Sequence, residues 1–252
     1  MPQTPEQNTK TVIIHGWSDC SDSFKKLKQY LIKNGFESQT IYYADYESRE
    51  DNITFNDVVD GLNDEFIKNG FIDAKGNKLV DLNVIVHSTG GLVIRNWICR
   101  YYKELGKIED CPVKKLLMLA PANFGSPLAH RGKSFLGGIF RGRWKVGDFL
   151  ELGRKLLDGL ELGSPYQWKL SNSDLLHTNS YFNSKQIQTT ILVGIQDYQG
   201  IMGWINKPGT DGTVVIAGTP INTAKVCIDF SGCGEKDFES GKCLNFKWSG
   251  SQ

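Results

Sequence analysis

A chain of 252 residues, 40% hydrophobic and 23% charged, holds enough apolar material for one large core. Its formal net charge of +1 gives nucleic acid or an anionic membrane nothing to select, so nucleic acid is not an expected partner. No run of about 18 apolar residues points to a membrane-spanning helix. Residues 1–10 carry two prolines and no apolar core, so no secretory signal peptide is expected and localisation reads as cytoplasmic or exported without one.

After a polar lead-in, residues 10–15 (KTVIIH) predict a short buried strand ending in His15-Gly16-Trp17. Gly16 permits a close backbone turn, which makes the backbone N–H of Trp17 a candidate oxyanion donor. His15 itself need only hold that loop by hydrogen bonds. Residues 23–34 predict a helix with Phe24, Leu27, Tyr30 and Leu31 on one face, capped by Ser21, Asp22 or Ser23 and stopped by Asn34-Gly35. Residues 36–43 predict the next strand and 55–68 a second helix, with Val58, Val59, Leu62, Phe66 and Ile67 apolar.

Leu82, Val84, Ile85 and Val86 predict a fully buried strand, and residues 91–102 a helix. Between them stands His87-Ser88-Thr89-Gly90. A serine on a tight turn between buried strand and helix has its hydroxyl exposed, and the Thr89 N–H and the helix N-terminus face the same space. This is the logic of a nucleophile elbow, although the G-x-S-x-G pattern fails at Val86. The plainer reading is a strand-to-helix turn with a capping serine.

Residues 112–120 predict another buried strand, ending at Ala120-Pro121-Ala122-Asn123. Alternating strands and helices argue for a mainly parallel sheet covered on both faces, with functional groups at the carboxyl ends of its strands. His15, Ser88 and Asn123 all fall at such ends. The rhythm then breaks in an insertion over about residues 124–180. Its first part, 124–162, is rich in Gly and in apolar residues such as Phe135, Phe140 and Trp144, interleaved with Arg131, Lys133, Arg141, Arg143 and Lys145. It suits a lid over an ester-binding cleft, with transient membrane-surface contact, or a peripheral helical subdomain. Helices are predicted over 146–160 and 166–176, and a buried strand over 188–195. A Gly-flanked turn then carries Asp211, preferred over Asp197 as a carboxylate partner because the turn fixes its geometry better. A strand-like run follows at 225–230.

Together HGW, HSTGGLVIR, LAPANFGSPLA and GTDGTVVIAG resemble the lipase/esterase branch of the α/β-hydrolase superfamily, including bacterial lipases and phospholipase-like proteins. The resemblance spans residues 10 to about 230. It implies an α/β-hydrolase fold, in one domain over 1–252 that is C-terminally incomplete, and a serine hydrolase cleaving carboxylic esters of acyl lipids. Ser88 would be nucleophile, Asp211 acid, and the N–H groups of Trp17 and Thr89 the oxyanion hole. No metal or cofactor is called for.

The superfamily order is Ser, Asp/Glu, His. The histidines here are His15, His87, His130 and His177, and none follows Asp211. The base is therefore expected beyond residue 252, with His177 or His130 as alternatives. The competing class is a catalytically inactive hydrolase-fold module that binds a lipid or a partner protein. Cys20, Cys99, Cys111, Cys227, Cys233 and Cys243 lack zinc-site spacing; reduced thiols are expected, with a local disulfide among the last three open to an exported protein.

Overall fold

Apolar runs without alternation mark strands covered on both faces, and the central strands here are of that kind. In the computed structural model, residues 9–16, 24–44, 53–127, 129, 154–176, 180–195, 209–211, 214–221, 225–229 and 245–249 are described. Strands β1 (Thr9–Ile14), β2 (Ile41–Ala44), β3 (Asp81–His87), β4 (Val113–Leu119) and β5 (Gln188–Leu192) form one sheet, ordered β2-β1-β3-β4-β5. All four pairings are parallel. Ile14 lies opposite Val86, and His87 opposite Leu119.

Side chains alternate between the two faces of each strand. On one face Ile13, Ile41 and Ile85 cluster with Phe24, and Leu27 and Leu31 of helix α1 (Lys25–Lys33) pack against them. Two more helices, α2 (Phe55–Lys68) and α3 (Gly90–Ile98), pack on each other, burying Leu62, Phe66, Leu92, Ile94 and Trp97. Phe66 meets Trp97 edge-on at 4.8 Å, and the Trp97 indole N–H donates to Asn63 at 3.1 Å. Helix α2 starts where expected because Thr54 and Asp57 form a reciprocal capping box.

Three elements depart from the sequence reading. Tyr30 is 64% exposed, because it sits at the margin of the stripe that Phe24, Leu27 and Leu31 define. The strand expected over 36–43 is shortened to β2: Ser38–Thr40 is a 3-10 turn whose Thr40 hydroxyl donates to the Glu37 carbonyl, and Phe36 is exposed. The strand expected to be buried over 188–195 is an edge strand among the described residues, with Leu192 and Ile195 exposed.

Within the insertion, helices α4 (Arg154–Leu160) and α5 (Pro165–Asp174) are tied into the body of the fold. Leu156, Leu157, Leu160 and Leu170 are buried, and Tyr166 stacks on Phe55 of α2 at 4.7 Å. The remainder of the expected lid, residues 131–153, lies outside the described residues, as do Ser21, Asp22 and Ser23. The chain divides into two compact units, Met1–Pro220 and Ile221–Gln252. The second contains an antiparallel pair, β6 (Lys225–Asp229) and β7 (Asn245–Ser249). Among the described residues no helix is long and apolar enough to cross a membrane.

Helix α3 continues through a π-turn at Cys99–Lys103, which buries Cys99 and Tyr102. Cys99 and Cys111 are free thiols, and burial pushes both up to about 12. Burial raises the Tyr102 phenol as well. An unfolded thiol loses its proton near pH ~8.5, so between there and about 12 the unfolded chain binds fewer protons than the folded one. Stability is therefore expected to fall as pH rises through that window, by about 1–2 kcal/mol per thiol at about pH 10. Thermal unfolding at neutral and alkaline pH checks this; a melting midpoint that does not move would contradict it.

Candidate active site

The strand order reverses direction between β1 and β3: the chain passes from β1 out to β2, returns to β3, and continues outward through β4 and β5. In open parallel sheets the crevice at such a switch point, beyond the carboxyl ends of the strands, is where ligands bind. His15-Gly16 ends β1 and Ser88 ends β3, so both stand at this crevice.

Ser88 has φ +52°, a left-handed conformation that a residue with a side chain adopts at a cost of about 1–2 kcal/mol. Its backbone is held on both sides: its N–H donates to Leu119 at 3.1 Å, and its carbonyl accepts from the N–H groups of Gly91 and Ala122, both at 3.1 Å. Ala120, at the end of β4, repeats the turn with φ +43° and donates to Leu192 at 2.7 Å. Ser88 is half-buried. It does not cap the helix behind it: the cap position of α3 is Thr89, whose side chain makes no capping bond. Thr89 itself is buried. The turn thus lacks the capping arrangement of the plainer reading and has the bent strand-to-helix form of an elbow.

The missing first glycine of the elbow pattern has a structural explanation. Val86 is a regular position of β3, fully buried between Ile14 and Met118, and its side chain fits there. The close approaches fall elsewhere. A Cβ on Gly16 would stand 3.0 Å from the Ser88 Cβ, and one on Gly90 would stand 2.9 Å from the His15 carbonyl. These two positions let the end of β1, the serine turn and the start of α3 meet.

His15 is buried, with its Nδ1 2.7 Å from the Gly16 carbonyl, so it holds the loop as expected. His87 is half-buried with its ring edge-on to Phe24 at 5.9 Å. Trp17, His130, His177 and Asp197 lie outside the described residues. Asp211 sits in a turn where its carboxylate accepts from the Val214 N–H at 2.8 Å and its own N–H donates to the Val214 carbonyl at 3.2 Å. Thr210 bridges to Val215, and a 3-10 turn at Ile216–Gly218 carries the chain on to Thr219. Thr219 accepts from the Asn123 side-chain amide at 2.7 Å, which ties the Asp211 segment to the loop after β4. Among the described residues no group of His, Cys, Asp or Glu could hold a metal ion.

The sequence reading passed over the charged pair behind this arrangement. Arg95 of α3 is fully buried and binds both carboxylate oxygens of Asp174, Nε at 2.8 Å and Nη2 at 2.9 Å. Its Nη1 donates to the Asn123 carbonyl at 2.6 Å and its Nη2 to the Ser171 hydroxyl at 3.3 Å. Burial raises the Asp174 carboxyl above its usual range, and the guanidinium opposes that shift. The available signal was an arginine inside the mostly apolar run GGLVIRNWI, since arginine is almost never fully buried without a partner.

The lipase (class 2) family model matches residues 8–139. No curated protein sequence matches the chain. Among solved structures, phospholipase PlaB from Legionella pneumophila superposes with a TM-score of 0.68 at 29% identity, covering 97% of this chain and 51% of that one. The present chain therefore spans about half the length of that protein. The fold is shared with the mature Bacillus licheniformis lipase BlEst2 (TM-score 0.54, 15% identity, 84% of this chain and 79% of that one). It is shared too with a metagenomic carboxyl esterase (TM-score 0.57, 14% identity, 85% and 60%). These likenesses are all to ester hydrolases, and with residues 8–139 matched by its model the chain belongs to the class 2 lipase family and has the α/β-hydrolase fold.

Proposed function

We propose that this chain carries the nucleophile, the oxyanion hole and the acid of a serine hydrolase that cleaves carboxylic esters of acyl lipids. The observation that carries the reading is the left-handed turn at Ser88, at the switch point of the sheet and against Gly16. Strain held at one residue with a side chain, at the place where ligands bind in this fold, fits a catalytic turn better than a connecting one. Acyl lipids are favoured as substrates by the family and by the likeness to a phospholipase and a lipase.

The Ser88 hydroxyl oxygen attacks the ester carbonyl carbon while its proton passes to a histidine base. The carbonyl oxygen becomes an oxyanion held by the backbone N–H groups of Trp17 and Thr89. The tetrahedral intermediate collapses, the base returns the proton to the leaving alcohol, and an acyl-serine remains. Water, deprotonated by the same base, then releases the acid. Asp211 orients the base and stabilises its charged form. In family order the base follows Asp211, and residues 212–252 contain no histidine.

The competing reading is a hydrolase-fold module that binds a lipid or a partner protein without turnover. Exposure of the full-length protein to a fluorophosphonate probe, followed by peptide mass analysis, separates the two. Phosphonylation of Ser88 that is competed by a fatty-acyl ester is the expected result. A protein that binds acyl-lipid vesicles and leaves Ser88 unlabelled would establish the binding module.

A further inference from the structure

We propose that Asn123 is a positioning residue that sets the spacing between the Asp211 turn and the Ser88 turn; this rests on the reading of Asp211 as the acid. Asn123 is fully buried and reaches three parts of the site. Its side-chain Nδ2 donates to the Thr219 carbonyl at 2.7 Å. Its own carbonyl accepts from Arg95 Nη1 at 2.6 Å, which joins it to the helix behind the serine. Its Oδ1 stands 3.0 Å from where a Cβ of Gly91 would be, the second residue of that helix. The neighbouring Ala122 N–H donates to the carbonyl of Ser88 itself at 3.1 Å.

Hydrogen bonds link the described residues between Thr219 and the Asp211 turn. Thr219 donates to Ile216 through both its N–H, at 3.2 Å, and its hydroxyl, at 2.8 Å. Ile216 donates to Gly209 at 2.9 Å, which closes the turn around Asp211, and Val214 is buried within it. Phe124, next to Asn123, lies 3.5 Å from where a Cβ of Gly218 would be. These bonds couple the described residues of the segment to one another. The amide bond from Asn123 to Thr219 ties that segment to the sheet end. Loss of that bond lets the carboxylate drift from the base it orients. A misplacement of about 1 Å at a catalytic group costs on the order of 100-fold in rate.

The test uses Asn123→Leu and Asn123→Ala in the full-length protein, each alone and combined with Asp211→Asn. Both spare the backbone bond to Arg95. Hydrolysis of p-nitrophenyl butyrate is measured per active site titrated with a fluorophosphonate, which counts only folded, competent enzyme. The expected result is a fall in kcat of roughly 10- to 100-fold with KM changed less than about 2-fold, and no further fall when the Asn123 change is added to Asp211→Asn. Losses that multiply in the two backgrounds would mark Asn123 as a structural residue acting independently of the acid and overturn the proposal. So would an unchanged kcat, or failure of both variants to unfold cooperatively. The Asp211→Asn protein reads the underlying assignment by itself: full activity there removes Asp211 as the acid, whatever the Asn123 variants do.

Discussion

Ser88→Ala is expected to lower ester hydrolysis by the full-length protein by at least ~10³-fold while leaving its fold intact. The hydroxyl is the only group removed, from a half-buried position, so the stability change should stay within about 0.5 kcal/mol. Alanine and serine bear the same Cβ and strain the turn equally at φ +52°. Ser88→Gly separates the two demands on this residue. It removes the left-handed strain and should raise stability by about 1 kcal/mol while losing the same activity as the alanine variant. A gain in stability with a loss of function at one position identifies strain kept for catalysis. Steady-state hydrolysis of a fatty-acyl ester and thermal unfolding of the three proteins give both readouts. An alanine variant that keeps activity within tenfold would end the serine mechanism for this chain.

The largest expected effect on stability lies at Arg95. Both Arg95 and Asp174 are fully excluded from solvent, and Arg95→Met removes the cation in direct contact with that carboxylate. Breaking one side of a buried pair costs ~3–5 kcal/mol, because the remaining charge stays buried without its partner. Burial already raises the Asp174 carboxyl, and without the guanidinium nothing of comparable strength opposes it. The Asn123 carbonyl and the Ser171 hydroxyl lose their donor at the same time. For a domain of this size the melting midpoint should fall by about 10 °C. The double variant Arg95→Met/Asp174→Leu, which takes away both charges, should recover most of that loss. Differential scanning calorimetry of the three proteins decides it. A single variant as stable as the parent would show that the pair contributes nothing that methionine packing does not replace.

Local pattern was sufficient for the central strands, the first long helix and the serine turn. The apolar runs at 84–86 and 116–119 mark strands covered on both faces, and the apolar spacing of Val58, Val59, Leu62 and Phe66 marks α2. The strand-to-helix turn was legible at Ser88 because a strand, a turn and a helix follow one another in a single stretch of chain. Its pattern was misleading at Val86, since the tight contacts that require glycine come from β1, a strand some seventy residues earlier in sequence, and fall on Gly16 and Gly90.

The tertiary structure decided the rest. Residues 191–195 carry apolar character like that of the central strands, but among the described residues β5 lies at the sheet edge, and strand order is not written in any one strand. Apolar periodicity could not anticipate the burial of Arg95, because its partner Asp174 lies on another helix 79 positions away. Asn123 looked like the polar end of a strand and is a fully buried link between Arg95 and Thr219. Periodicity reports which face of a segment is apolar. Which segments become neighbours is set by sheet order and by hydrogen bonds between residues far apart in the chain, and those exist only once the chain has folded.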